Sequence, residues 1–173
     1  MESRTLAQPA LSSPPDKLVM ELRNCLLGAS DVGTLSTTPR QIFSLLKHEI
    51  EEEAGGSQVL AVYGGASMDK GQATDEFFVR SDGARISFSV AAVYPRNAAA
   101  ALRVYRFHLR YPNGANPRFI RIDLNRPGGG DALIEPRSHV HVGAEALRIP
   151  VPIMAPLEIL EKVLYGLALP PRH

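Results

Sequence analysis

The sequence predicts an α+β fold: an antiparallel β-meander of about five or six strands, with two N-terminal helices and one C-terminal helix packed on its apolar face. Three observations predict it. Apolar residues recur at helical spacing up to Gly55 and again after Pro156, and they alternate with period two in between. Turn residues separate the alternating runs, among them Asp82-Gly83 and Asn113-Gly114. The 173 residues, 45% hydrophobic and 21% charged, suit one globular core that needs no staples. We read residues 16–173 as a single domain behind a flexible leader, residues 1–15, whose prolines and serines show no period.

The first helix is expected over Asp16 to Leu27, with Leu18, Leu22, Cys25 and Leu26 as its apolar stripe and Gly28 as its C-terminal cap. In Thr38-Pro39-Arg40-Gln41 the threonine can cap a helix, the proline suits its first turn and the glutamine completes a capping box. The second helix starts there, buries Ile42, Leu45, Leu46 and Ile50, and stops at Gly55-Gly56. Glu51, Glu52 and Glu53 read as its solvated end and not as metal ligands, because consecutive helical residues point in different directions.

Val59 to Tyr63 reads as the first strand. Thr74 to Arg80 and Ala84 to Tyr94 form a hairpin through a two-residue Asp-Gly turn, which pairs Val79 with Ile86, Phe77 with Phe88, Asp75 with Val90 and Glu76 with Ser89. A second hairpin follows, turning through Tyr111 to Pro117. Pairing Tyr111 with Arg118 sets Leu109, Phe107 and Tyr105 against Ile120, Ile122 and Leu124 on an apolar face. The other face then carries Arg110 against Phe119, His108 against Arg121 and Arg106 against Asp123. Arg126 to Asp131 is a glycine-rich break without the lysine of a phosphate-binding loop, and we read it as a plain loop. Arg137 to Val142 alternates as a strand, with Val140 and Val142 on one side and Arg137, His139 and His141 on the other. Pro156 opens the last helix, striped by Leu157, Leu160, Val163, Leu164 and Leu167 and ending near Pro170.

Composition excludes more than it includes. A net charge of +1 argues against a surface built throughout for nucleic acid or anionic lipid, so any basic surface is local. The single cysteine, Cys25, forms no internal disulfide and reads as a small core residue, which suggests a reducing compartment. Neither a signal segment nor an apolar run of about 20 residues is present, so a cytoplasmic location without membrane contact is expected. There is no G-x-S-x-G motif and Trp is missing, which leaves serine-histidine catalysis and base-stacking platforms without support.

The candidate site lies in the segment that holds three of the five histidines. His139 and His141 share one face of their strand, with backbones about 6 to 7 Å apart. Such a pair suits either of two chemistries. It can ligate a metal, with His108 or Asp123 as the third ligand. It can also serve as acid and base in phosphodiester cleavage, with arginine stabilising the phosphoryl charge. Arg106, Arg110, Arg121, Arg137 and Arg148 oppose a cation and suit an anion, so the expectation is no metal and no cofactor. The plainer alternative is a half-exposed strand whose histidines bond across the sheet, with Arg106 and Asp123 as an ordinary cross-strand ion pair. The sequence does not decide whether the histidine strand adjoins the Arg106, His108, Arg121 and Asp123 face.

The segment Pro136-Arg137-Ser138-His139-Val140-His141-Val142-Gly143, followed by Arg148-Ile149-Pro150 and Met154-Ala155-Pro156-Leu157-Glu158-Ile159-Leu160, resembles the C-terminal signature of small bacterial proteins of the toxin-antitoxin or phage-defence type. The resemblance covers the last third of the chain. It implies His139, His141 and Arg148 as the positions to test. The resulting expectation is a non-catalytic interaction subunit of such a complex, contacting a protein partner through its sheet face or C-terminal helix. The alternative is a metal-independent phosphodiesterase or ribonuclease-like enzyme. There His139 and His141 act as acid and base, Arg106, Arg121 and Arg148 bind phosphate, His108 and Asp123 support them, and nucleic acid is the partner.

Overall fold

The computed structural model describes residues 7–68, 74–128 and 136–169. Helix α1 (Pro15–Asp31) has proline in its first turn, beside Asp16, and buries Leu18, Val19, Leu22, Leu26 and Ala29. It runs through Gly28, where the sequence predicts its C-terminal cap. Ala29, fully buried one stripe position further on, holds the next turn against the core, and Gly33, with φ of 76°, turns the chain just past the helix end. Cys25 is half-buried against the core, and burial pushes its thiol up to about 11, as suits a packing residue.

Helix α2 (Pro39–Leu45) carries the expected capping box, with Thr38 accepting from Gln41 N and the Gln41 side chain accepting from Thr38 N. It ends seven residues later, where a longer helix was expected. Leu46–Glu52 is strand β1, paired antiparallel with β2 (Gln58–Gly64) from Leu46 with Gly64 to Glu52 with Gln58. Gly55 and Gly56, with φ of 90° and 79°, make the hairpin turn that Glu53 N closes onto Ser57 O at 2.8 Å. Tertiary pairing overrides a helical stripe here, and Glu51 to Glu53 belong to a charged edge strand and its turn.

A single turn of 3₁₀-helix, Thr74–Glu76, and the two-residue strand β3 (Phe78–Val79) replace the expected strand over Thr74 to Arg80. β3 pairs with β4 (Arg85–Tyr94) as Phe78 with Ile86 and Val79 with Arg85, one residue away from the register read in the sequence. The turn has three residues, not two. Gly83, with φ of 85°, donates to Arg80 O, and Asp82 Oδ1 accepts from Ala84 N at 3.1 Å, so Arg80 closes onto Ala84.

β5 (Ala101–Arg110), β6 (Phe119–Leu124), β7 (Ser138–Val142) and β8 (Ile149–Pro150) complete an eight-stranded antiparallel sheet, ordered β1-β2-β4-β5-β6-β7-β8 with β3 beside β4. Two strands beyond the expected six, β1 and β8, lie at its two ends. The β5–β6 register agrees residue for residue with the sequence reading. Helix α3 (Pro156–Tyr165) ends before the expected Pro170. It buries Ile159, Leu160, Val163 and Leu164, and with α1 belongs to one core with the sheet's apolar face.

The core centres on Phe78, Phe88, Phe107 and Tyr105, whose ring centroids follow one another at 5.9, 5.2 and 5.8 Å. Gly64 faces Phe88 across β2 and β4, and a Cβ there meets the Phe88 ring at 2.3 Å, so only glycine fits beside it. Arg80, almost fully buried, ties the β3–β4 turn to the end of α3. It donates to Val163 O and Gly166 O at 2.8 and 2.9 Å and pairs with Asp82. No helix among the described residues is long and apolar enough to cross a membrane.

Candidate functional site

The alternation that buries one face of the sheet sends a row of polar side chains to the other. Pairing across β1, β2, β4, β5, β6 and β7 aligns Lys47, Tyr63, Ser89, Arg106, Asp123 and His139. The row beside it holds Ser87, His108, Arg121 and His141. The histidine strand therefore does adjoin the Arg106, His108, Arg121 and Asp123 face. Asp123 pairs with His139 and Arg121 with His141.

Asp123, 5% exposed, is the hub of this face. Its Oδ2 accepts from Arg121 Nε at 2.8 Å, and Arg106 Nε lies 3.3 Å from Oδ1. Arg121 also donates from Nη1 to Glu145 at 2.7 Å, so its charge is answered from two sides. His139 Nε2 and His141 Nε2 stand 3.8 and 3.5 Å from Asp123 Oδ2. Neither contact has hydrogen-bond geometry, since an N–H···O bond spans about 2.7 to 3.2 Å. His139 turns its other nitrogen, Nδ1, to the Pro136 carbonyl at 2.8 Å. A carbonyl only accepts, so Nδ1 carries the proton and, in the neutral ring, the Nε2 lone pair faces the carboxylate.

Both rings are buried, His139 to 3% exposure and His141 to 1%. Burial first, then the Arg121 guanidinium and His139, push the His141 imidazole below its ordinary value; Asp123 and the Ala144 carbonyl oppose them. His141 is thus neutral at pH 7. Its Nδ1 has no hydrogen-bond partner of good geometry among the described residues, although the Ala144 carbonyl acts on the ring's charge.

A cleft of about 360 Å³ opens on the same face, lined by Tyr63, Ser87, Ser89, Arg106, His108, Asp123 and Asn125 and by the Gly65 to Met68 segment. Asp123 is common to the cleft and the histidine cluster, whereas neither histidine lines the cleft. Arg106, with its side chain 50% exposed, reaches solvent. His108 is buried and sets its ring edge-on to Phe119 at 5.4 Å. Arg148 is exposed just before β8 and lines neither the cleft nor the cluster. Arg137, expected on the histidine face, is engaged by the main-chain carbonyls of Asn125 and Leu102. Of the glycine-rich break, Gly129 to Asp131 lie outside the described residues.

Reading the sequence missed several participants. Ser87 and Ser89 carry a signal, since they alternate with Phe88 and Val90 and so share the polar face. Glu145 and the Pro136 carbonyl carry none, because both come from irregular chain flanking β7. The chain matches no protein-family model, and no curated protein or solved structure is significantly similar to it.

Proposed function

We propose that the protein is a non-catalytic interaction subunit, of the bacterial defence or toxin-antitoxin type, that receives a protein partner on the polar face of its sheet. One observation carries the reading: this face presents Tyr63, 47% exposed, and Arg106, half exposed, above a floor of small, partly buried residues, Ala61, Ala91 and Val104. Tyrosine and arginine are among the side chains most enriched as anchors of protein interfaces, and the apolar floor gives them a surface on which a partner can pack. The other surface considered, α3, has already spent Ile159, Leu160, Val163 and Leu164 on the core. The defence or toxin-antitoxin assignment rests on the resemblance of residues 136–160, and a reducing, cytoplasmic setting on the lone Cys25.

Burial of His139 and His141 weighs against the ribonuclease-like alternative, because a phosphodiester must touch both an acid and a base to be cleaved by them. The test places a photo-crosslinking residue at Tyr63 or at Glu158 of α3 in the living source cell. A discrete crosslinked protein is expected from Tyr63 and none from Glu158. In parallel, RNA and DNA are incubated with the wild type and with the His139→Ala, His141→Ala double variant. Cleavage by the wild type that the double variant lacks, or no crosslink from Tyr63, overturns the reading.

A further inference from the structure

We infer that Asp123, His139 and His141 form a binding site for one late first-row divalent cation of the zinc type. Ligand atoms on a tetrahedron with bonds of about 2.1 Å lie about 3.4 Å apart. The two histidine Nε2 atoms stand 3.5 and 3.8 Å from Asp123 Oδ2, and all three ligand atoms lie within 4.8 Å of one another. Closing onto an ion takes shifts of an ångström or less at each ring. Two imidazoles and one carboxylate leave a fourth position for water or another oxygen, a donor set suited to zinc, cobalt or iron(II) and not to the hard ions magnesium and calcium.

A second, independent feature points the same way. The Pro136 carbonyl, 2.8 Å from His139 Nδ1, is the outer-shell acceptor that fixes a ligating histidine in the tautomer with Nε2 bare. That bare lone pair faces the Asp123 carboxylate, acceptor against acceptor, in a place with 3% exposure. Only a proton or a cation between them makes the contact attractive. Arg121 does not exclude the ion. It donates to the ligand oxygen itself, Oδ2, through one of that oxygen's two lone pairs and leaves the other for the ion, and Glu145 offsets its charge. Arg106 lies on the other oxygen, Oδ1, and its half-exposed side chain is able to withdraw into solvent. The arginines from which a metal-free site was expected thus bear on the cluster less than their number suggests.

The site is tested on the full chain after treatment with a chelator and exchange into metal-free buffer. Cobalt(II) chloride is added stepwise while the visible d–d bands are recorded, and zinc chloride binding is followed by calorimetry. One equivalent is expected, with strong tetrahedral-type cobalt bands that zinc abolishes and magnesium leaves unchanged. The variants His139→Gln, His141→Gln and Asp123→Asn are each expected to weaken binding at least about 100-fold, beyond what losing an outer-shell partner costs. Because a variant can fail to fold, ¹⁵N-histidine spectra of the wild type supply a separate readout: zinc is expected to shift Nε2 of His139 and His141 while the His139 Nδ1 proton is retained. Less than a tenth of an equivalent bound by the wild type, spectra in which other histidines respond, or unchanged affinity in the folded variants overturns the inference.

Discussion

The two faces of strands β5, β6 and β7 are built from the same backbone and differ in what they can tolerate. On one face Phe107, Ile122 and Val140 stand in a row, with Phe88 beyond them, and depend on close packing alone. On the other, Arg106, Asp123 and His139 stand in register one residue along, and the burial of Asp123 and His139 is balanced by charge and hydrogen bonds. The contrast teaches where to look for function. The first face is apolar apart from hydroxyls such as that of Ser138, which donates to Pro152 O, whereas the second holds five buried polar or charged side chains, His108, Arg121, Asp123, His139 and His141, brought together at a cost that hydrophobic residues of equal size would avoid.

Substitutions can break that comparison, and the largest effect belongs to the packed face. Phe107→Ala removes a fully buried ring that touches Phe88 and Tyr105, and about 3 to 5 kcal/mol of unfolding free energy is expected to be lost in urea denaturation. Asp123→Ala on the polar face strips the buried Arg121 of one of its two carboxylates and is expected to cost about 3 kcal/mol in the same measurement. If both changes cost less than about 1 kcal/mol, a level typical of surface sites, the layered account of the sheet fails.

Arg106→Ala sharpens the comparison from the solvent side. Its ion pair with Asp123 is half exposed, so less than about 1 kcal/mol is expected in a thermal melt. The smallest effect is assigned to Asp82. Its hydrogen bond from Arg80 holds the carboxyl below the ordinary range. A depressed carboxyl contributes stability that is complete above the unfolded value of about 3.9 and is lost as pH falls through the lower folded value. Asp82→Asn is therefore expected to lower the neutral plateau slightly, by less than about 1 kcal/mol, and to flatten the acid limb of the stability curve below about pH 4 by the same amount. An unchanged acid limb contradicts the role given to the Arg80 pair.

The parts of this fold that were legible in the sequence are those where alternation runs long. β5 and β6 carry apolar residues at every second position, and a one-residue slip would bury charge, so pattern alone sets their register. Where two local signals compete, the reading failed. Gly55-Gly56 closes a hairpin as readily as it stops a helix, and seven backbone pairs with β2 decided for the hairpin. Asp82-Gly83 suggests a two-residue turn, yet the Asp82 side chain anchors Ala84 N and lengthens the turn to three. The adjacency of β6 and β7 was illegible for another reason: the chain between Asn125 and Arg137 carries no turn signal that sets a register. Arg106, His108, Arg121 and Asp123 could thus be placed on one face from sequence, but not the histidines beside them. Arg148, singled out by resemblance, lies outside the cluster, while Glu145 joins it through a contact no pattern announces.

A double-mutant cycle between Asp123 and His141 tests most directly the claim that these strands gather one buried polar cluster. Asp123→Asn and His141→Gln, singly and together, are compared by urea denaturation of the metal-free protein. With Asp123 Oδ2 and His141 Nε2 3.5 Å apart and both residues buried, the two changes are expected to be non-additive by about 0.5 to 3 kcal/mol. Additivity within about 0.3 kcal/mol, the behaviour of sites with no shared partner, contradicts the account.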